Sequence, residues 1–100
     1  MYAALNNTIL QKLKKEANIY KTFNEVYIYG SILKKRQAND IDILIIYTDY
    51  SYELKKDLKS FERVLVQLIN LPIDITALSR SEEHDVKFIK RLNNHYIVLK

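Results

Sequence analysis

The seven residues Ile41-Asp42-Ile43-Leu44-Ile45-Ile46-Tyr47 constrain the fold more than any other stretch of the chain. The run is too short for a buried helix and rich in β-branched residues. Beyond Asp42 it is apolar through Ile46, the pattern of a strand covered on both faces. Such a strand lies inside a sheet. Its mouth carries Asp40 and Asp42, and an unpaired carboxylate at the edge of a buried strand is costly or takes up a proton. Something positive must meet the two.

The remaining elements follow from periodicity. Ile9, Leu13, Ala17 and Tyr20 recur at steps of four and three, which predicts a helix near residues 5–22. The segment Glu25–Tyr29 (EVYIY) reads as a strand closed by Gly30, the one glycine of the chain. Leu54, Leu58, Phe61, Leu65 and Leu68 predict a long helix within 48–70. Residues 72–78 read as a third strand with the sole proline, Pro72, at its first position. Ser79 and Glu82 form the S-x-x-E of a capping box, opening a helix to about Asn93 that turns Val86, Phe88, Ile89 and Leu92 inward. Residues 95–100 close the chain as a fourth strand.

One glycine, one proline and 48% hydrophobic residues leave no linker or low-complexity segment, so residues 1–100 are expected to form a single domain. The order αβ(α)βαβαβ predicts an α/β (α+β) fold, a mixed four-stranded sheet flanked by helices. The short link between the first two strands permits an antiparallel pair, whereas the later helices permit parallel pairing.

With no cysteine, neither a disulfide framework nor a thiolate metal site is open to the chain. No apolar run approaches the roughly 20 residues that span a bilayer, and the N-terminus lacks a signal-peptide core. A soluble, cytoplasmic protein without membrane contact is expected. The formal charge of +4 invites a nucleic-acid reading, but Lys12, Lys14, Lys15, Lys55, Lys56, Lys59, Lys87, Lys90 and Arg91 are spread over three predicted helices. That is the pattern of solvated faces, so nucleic acid is the lesser alternative.

Side chains alternate along a strand, so Asp40 and Asp42 point the same way with Cα atoms about 6.5 Å apart. Asp74, between Ile73 and Ile75, offers a third carboxylate if its strand neighbours theirs. Three hard oxygen donors without Cys or a nearby His favour Mg²⁺ or Mn²⁺ over zinc. Two such ions about 3.5–4 Å apart serve in-line phosphoryl or nucleotidyl transfer. Each aspartate alone is explained by a wet strand edge. In combination with Gly30 and Ser31, a site is the better account. Gly30 either permits a positive-φ turn or lets a phosphate approach the backbone, with the Ser31 hydroxyl as a donor. Lys34, Lys35 and Arg36 are either a solvated loop or counter-charge for that phosphate. His84 and His95 lack a second imidazole at ligand spacing and are expected in surface or packing roles. Tyr47, Tyr50 and Tyr52 are expected to pack at the core rim, with stacking on a base as the alternative.

In their order, VYIYGS, NDIDILII and LPIDIT resemble the nucleotidyltransferase superfamily that includes DNA polymerase beta, and in particular its minimal nucleotidyltransferases. The resemblance implies that Asp40 and Asp42 bind the metals and that Asp74 completes the site and favours deprotonation of an acceptor hydroxyl. It implies further that Gly30 and Ser31 hold a nucleotide triphosphate. The loop between Ser31 and Asp40 is shorter than the family usually has and lacks its glycine. Lys34, Lys35 or Arg36 would then supply charge in place of backbone amides. The implied activity is transfer of a nucleoside monophosphate, AMP from ATP, to a hydroxyl. Since 100 residues are expected to leave no room for an acceptor-binding domain, the resemblance points to a separate helical partner of the HEPN toxin type, with this chain as its antitoxin. The alternatives are a catalytically weak module that restrains the partner by contact, or transfer to a small molecule or an RNA end.

Overall fold

A computed structural model describes residues 5–33 and 39–100. The chain runs α1 (Asn7–Ala17), β1 (Glu25–Tyr29), a 3-10 turn (Ser31–Leu33), β2 (Ile41–Tyr47), α2 (Tyr52–Leu68), β3 (Ile73–Ser79), α3 (Arg80–Val86), α4 (Phe88–Arg91) and β4 (Tyr96–Val98). The strands form one mixed sheet in the order β3-β2-β1-β4. The expected four-stranded, helix-flanked α+β architecture is observed, and the short β1–β2 link does give an antiparallel pair.

Strand β2 is internal, with β3 parallel on one side and β1 antiparallel on the other. Strand β4 is antiparallel to β1 at the far edge. The register sets Asp42 opposite Tyr29 in β1 and opposite Asp74 in β3, and Tyr29 opposite Tyr96 in β4. One end of the sheet therefore carries Asp74, Asp42, Tyr29 with Gly30, and Tyr96 in a row.

The two sheet faces bury different partners. Ile41, Ile43 and Ile45 join Leu13 and Ala17 of α1 and Leu54, Phe61 and Leu65 of α2 in the main core. The alternate positions Leu44 and Ile46, with Tyr27, form a smaller cluster against Leu78, Phe88, Ile89 and Tyr96. Asp42 shares this second, thinner-covered face. An aromatic trio of Tyr20, Phe23 and Phe61, with ring centroids 5.1–5.8 Å apart, closes the main core.

Helix ends are set by side chains. Asn6 Oδ1 accepts the Ile9 amide at 2.9 Å and starts α1. The helix ends earlier than periodicity suggests because Asn18 turns its side-chain amide back to the Lys14 carbonyl at 2.6 Å and across to the Leu99 carbonyl at 3.0 Å. Tyr20 reaches the core from outside the helix. Ser51 caps α2 through the Leu54 amide at 3.0 Å.

The helix expected over 79–93 is broken. Lys87 takes a left-handed conformation (φ 53°, ψ 47°) between α3 and α4. On one unbroken helix Val86 and Phe88 would lie about 200° apart and could not face the same sheet. The break resolves the conflict for Phe88, whose ring packs 5.3 Å from Tyr29, and leaves Val86 exposed, contrary to expectation. Glu83 Oε2 accepts the Ile89 amide at 3.0 Å and ties the two short helices. The capping box is present, with Ser79 Oγ accepting from the Glu82 amide at 3.0 Å and Glu82 Oε1 from the Ser79 amide at 2.9 Å. Ser79→Ala is expected to lower stability by about 1 kcal/mol, read as a lower denaturant midpoint at unchanged slope. Among the described residues no helix is long and apolar enough to cross a membrane.

Candidate active site

The parallel β2–β3 ladder brings Asp42 and Asp74 side by side. Asp40 lies one residue before β2, whose first amide, that of Ile41, donates to the Pro72 carbonyl at 3.0 Å and pins the two strand starts together. Consequently one carboxylate oxygen from each of Asp40, Asp42 and Asp74 lies within 4.8 Å of the others. The convergence expected if the two strands were neighbours is present. Asp40 and Asp42 are half-buried, and Asp74 is exposed at the edge strand.

Three carboxylates this close repel one another. Partial burial raises the Asp42 carboxyl above its ordinary pKa, and the charges of Asp40 and Asp74, with a hydrogen bond shared with Asp74, push it the same way. Among the described residues the ion pairs are Arg80–Glu25 and His84–Asp85, so no cation there neutralises the three acids. Hard oxygens this close are compatible with a divalent cation, and the donor set holds no nitrogen or sulfur.

Gly30 is forced by its neighbour. Its φ is +91°, and a Cβ there would overlap Asp42 Oδ2 and stand 3.1 Å from Asp42 Cγ. With Asp42 in this rotamer the turn after β1 has no room for a side chain at residue 30, and the left-handed φ favours glycine whatever the room. Ser31 then opens the 3-10 turn, with the Leu33 amide donating to the Gly30 carbonyl at 3.2 Å. Lys34, Lys35 and Arg36 lie outside the described residues.

Two residues of the site carry no signal in the sequence. Tyr29 is raised in pKa chiefly by burial and also by the charges of Asp42, Asp74 and Asp40, against a hydrogen bond from Thr76. Its phenol thus stands in the field of the acids, with Thr76 two residues along β3 from Asp74. Of the tyrosines expected at the core rim, Tyr47 packs there, partly buried against the main core, and all three lie away from the acids. Tyr47 ends β2, about 17 Å along the strand from Asp42. Its ring packs 6.1 Å from Tyr50, while Tyr50 and Tyr52 are exposed. They do not reach a nucleotide at the acidic end. His84 is exposed beside Asp85 at 3.9 Å, and His95 is exposed next to Gly30, where it lines a small cavity.

A family model described as polymerase beta, nucleotidyltransferase, matches residues 11–99. The chain belongs to that family. The matched span runs from α1 to the residue after β4 and takes in Gly30, Ser31 and all three aspartates. A crystal structure from Sulfolobus solfataricus, of a protein provisionally assigned as a nucleotidyltransferase, is similar at 20% identity and a TM-score of 0.47, covering 91% of this chain and 76% of that one. No match was found among curated protein sequences. As a member of the polymerase beta nucleotidyltransferase family the chain is a transferase domain of the nucleotidyl-transfer type, and its acidic cluster is compatible with divalent metal binding.

Proposed function

We propose that this domain transfers AMP from ATP to a hydroxyl of a partner protein, and that it acts as the antitoxin of a helical HEPN-type toxin. The observation that carries the transfer is the meeting of Asp40, Asp42 and Asp74 against the Gly30 turn. The acceptor assignment rests on the likeness of the GS, D-x-D and third-acid segments to minimal nucleotidyltransferases.

Asp40, Asp42 and Asp74 would hold one or two Mg²⁺ or Mn²⁺ ions, which supply charge neutralisation of the triphosphate and activation of the attacking oxygen. Gly30 supplies the left-handed turn, and a phosphate would meet that turn on the flank away from the Asp42 carboxylate, which fills the space a Cβ would take. Ser31 offers a hydroxyl donor at the same turn. Asp74 is exposed on the edge strand, and in this reading it would meet an incoming hydroxyl and take its proton. The acceptor is thus expected from the β3 edge, and the nucleotide from the β1 side.

The test is to co-express the chain with the protein encoded beside it and weigh that neighbour intact, with an Asp40→Asn/Asp42→Asn variant as control. AMP additions on the neighbour with the parent alone are the expected result. A neighbour bound and inhibited equally by parent and variant, with no added mass, would assign the chain to restraint by contact. Label passing from ATP to RNA or a small molecule, and never to protein, would reassign the acceptor.

A further inference from the structure

The two edges of the sheet differ. At one, β4 is three residues long, and the Leu99 and Lys100 amides that follow it fold back on the Val26 carbonyl. At the other, β3 runs seven residues in one-to-one register with β2 and without a bulge. Pro72 stands before it, no lysine lies in it, and its one charge, Asp74, is near its start. A long, regular edge without such guards is a template for another strand.

The groups that β3 offers are fixed by its bonds to β2. The Ile41 amide donates to the Pro72 carbonyl at 3.0 Å, and Ile41 pairs with Ile73. Alternate residues of a strand turn their N–H and C=O to opposite sides. Asp74, Thr76 and Leu78 therefore address β2, as Pro72 does, while Ile73, Ile75 and Ala77 point theirs outward. Among the described residues no backbone group meets these three on the outer side. No residue of β3 is buried, although Ile43 and Ile45 on the adjoining strand are fully so.

The side chains along this edge favour one occupant. Ile75 and Ala77 lie on the α2 side of the sheet, and with Leu58, Lys59 and Glu62 of α2 they line an open groove of about 230 Å³. Its lining is apolar apart from two exposed charges, opposite in sign and one helical turn apart. A two-fold axis normal to the sheet at Thr76 makes such a groove complementary to itself. Ile75 then meets Ala77 of the second copy, large against small, and exchanges both backbone bonds with it. Thr76 faces Thr76, a favourable cross-strand pair, and Lys59 comes towards Glu62 of the second copy. The two Asp74 carboxylates stay about 14 Å apart, beyond a Debye length at physiological salt.

We propose that a second copy of this chain docks on β3, edge to edge and antiparallel, doubling the four-stranded sheet with α2 of both copies on one face and both acid clusters on the other. An acceptor hydroxyl nearing Asp74 from the β3 side then passes over the second copy's strand. The pairing itself does not depend on the transfer reading.

Sedimentation of the full chain across the micromolar to millimolar range reads the mass, and hydrogen exchange at low and high protein concentration reads the contact. A dimer is expected, with the Ile75 and Ala77 amides slowing as concentration rises and the β4 amides unchanged. Lys59 and Glu62 are exposed, so Lys59→Glu and Glu62→Lys should fold as the parent does. Each should weaken the dimer about 3- to 30-fold by setting like charges across the two-fold, and the double exchange should restore it. Ala77→Pro, which removes an outward amide from the edge, should leave a monomer; if that variant fails to fold, the charge exchange and the amide protection decide. A parent that stays monomeric throughout the range, a dimer indifferent to the charge exchange, or protection that grows at β4 in place of β3 overturns the proposal.

Discussion

Gly30→Val is expected to cost about 2–5 kcal/mol of folding stability and to abolish nucleotide binding, while Ser31→Ala leaves stability nearly unchanged and weakens binding by about 1–3 kcal/mol. Two effects add at Gly30. A β-branched residue is strained at φ +91°, and its Cβ would strike the Asp42 carboxylate. A double-mutant cycle separates them. Gly30→Ala should cost less in an Asp42→Ala background, where the clashing carboxylate is gone, and the remainder is the backbone strain. If Gly30→Ala costs the same in both backgrounds, crowding by Asp42 is not what demands glycine. Denaturant midpoints give the stabilities, and calorimetric titration with ATP gives the binding.

The strand–acid pairing was the most legible part of the fold. Four consecutive apolar residues after Asp42, in a run of strand length, mark an internal strand, and the D-x-D spacing turns its two acids the same way. The meeting with Asp74 depended on strand order, which sequence left conditional and the parallel β2–β3 register supplies. Gly30 was legible as a special position, though its reason is the Asp42 carboxylate pressed against it as much as any phosphate. What sequence hid were the consequences of β4 pairing with β1. Arg91 and His95 sit among ordinary surface residues in the chain and reach the Gly30 turn only because Tyr96 pairs with Tyr29. The break at Lys87 was hidden for a different reason, since apolar residues at 86, 88, 89 and 92 give no single helical face and periodicity cannot say which will be surrendered.

Asp42→Asn should move stability and activity in opposite directions. In the folded chain without metal, the Asp42 carboxyl is held above its ordinary pKa of 3.8, by burial first and then by Asp40 and Asp74. As pH rises, the unfolded chain therefore gives up this proton before the folded chain does. The folded state loses stability between the ordinary value and the raised one, and keeps its full share below that window. An amide at this position is never charged, so the variant should equal the parent in acid and exceed it at neutral pH. The gain is no more than about 1 kcal/mol once solvent screening at the open side is allowed for, a rise of a few degrees in Tm for a domain this size. Metal should invert the order. Mg²⁺ or Mn²⁺ binds the folded parent and stabilises it by linkage, whereas the variant lacks one of the three ligands and should respond weakly. Transfer should fall by well over the 10- to 100-fold typical of losing an outer-shell partner of a metal. Thermal scans of both proteins across pH, with and without Mn²⁺, read the stability terms, and transfer of labelled nucleotide reads the activity. A variant less stable than the parent at neutral pH without metal would show that Asp42 holds the fold by a contact and that repulsion among the three acids is not the controlling term. A metal-induced shift of equal size in both proteins would remove Asp42 from the ligand set.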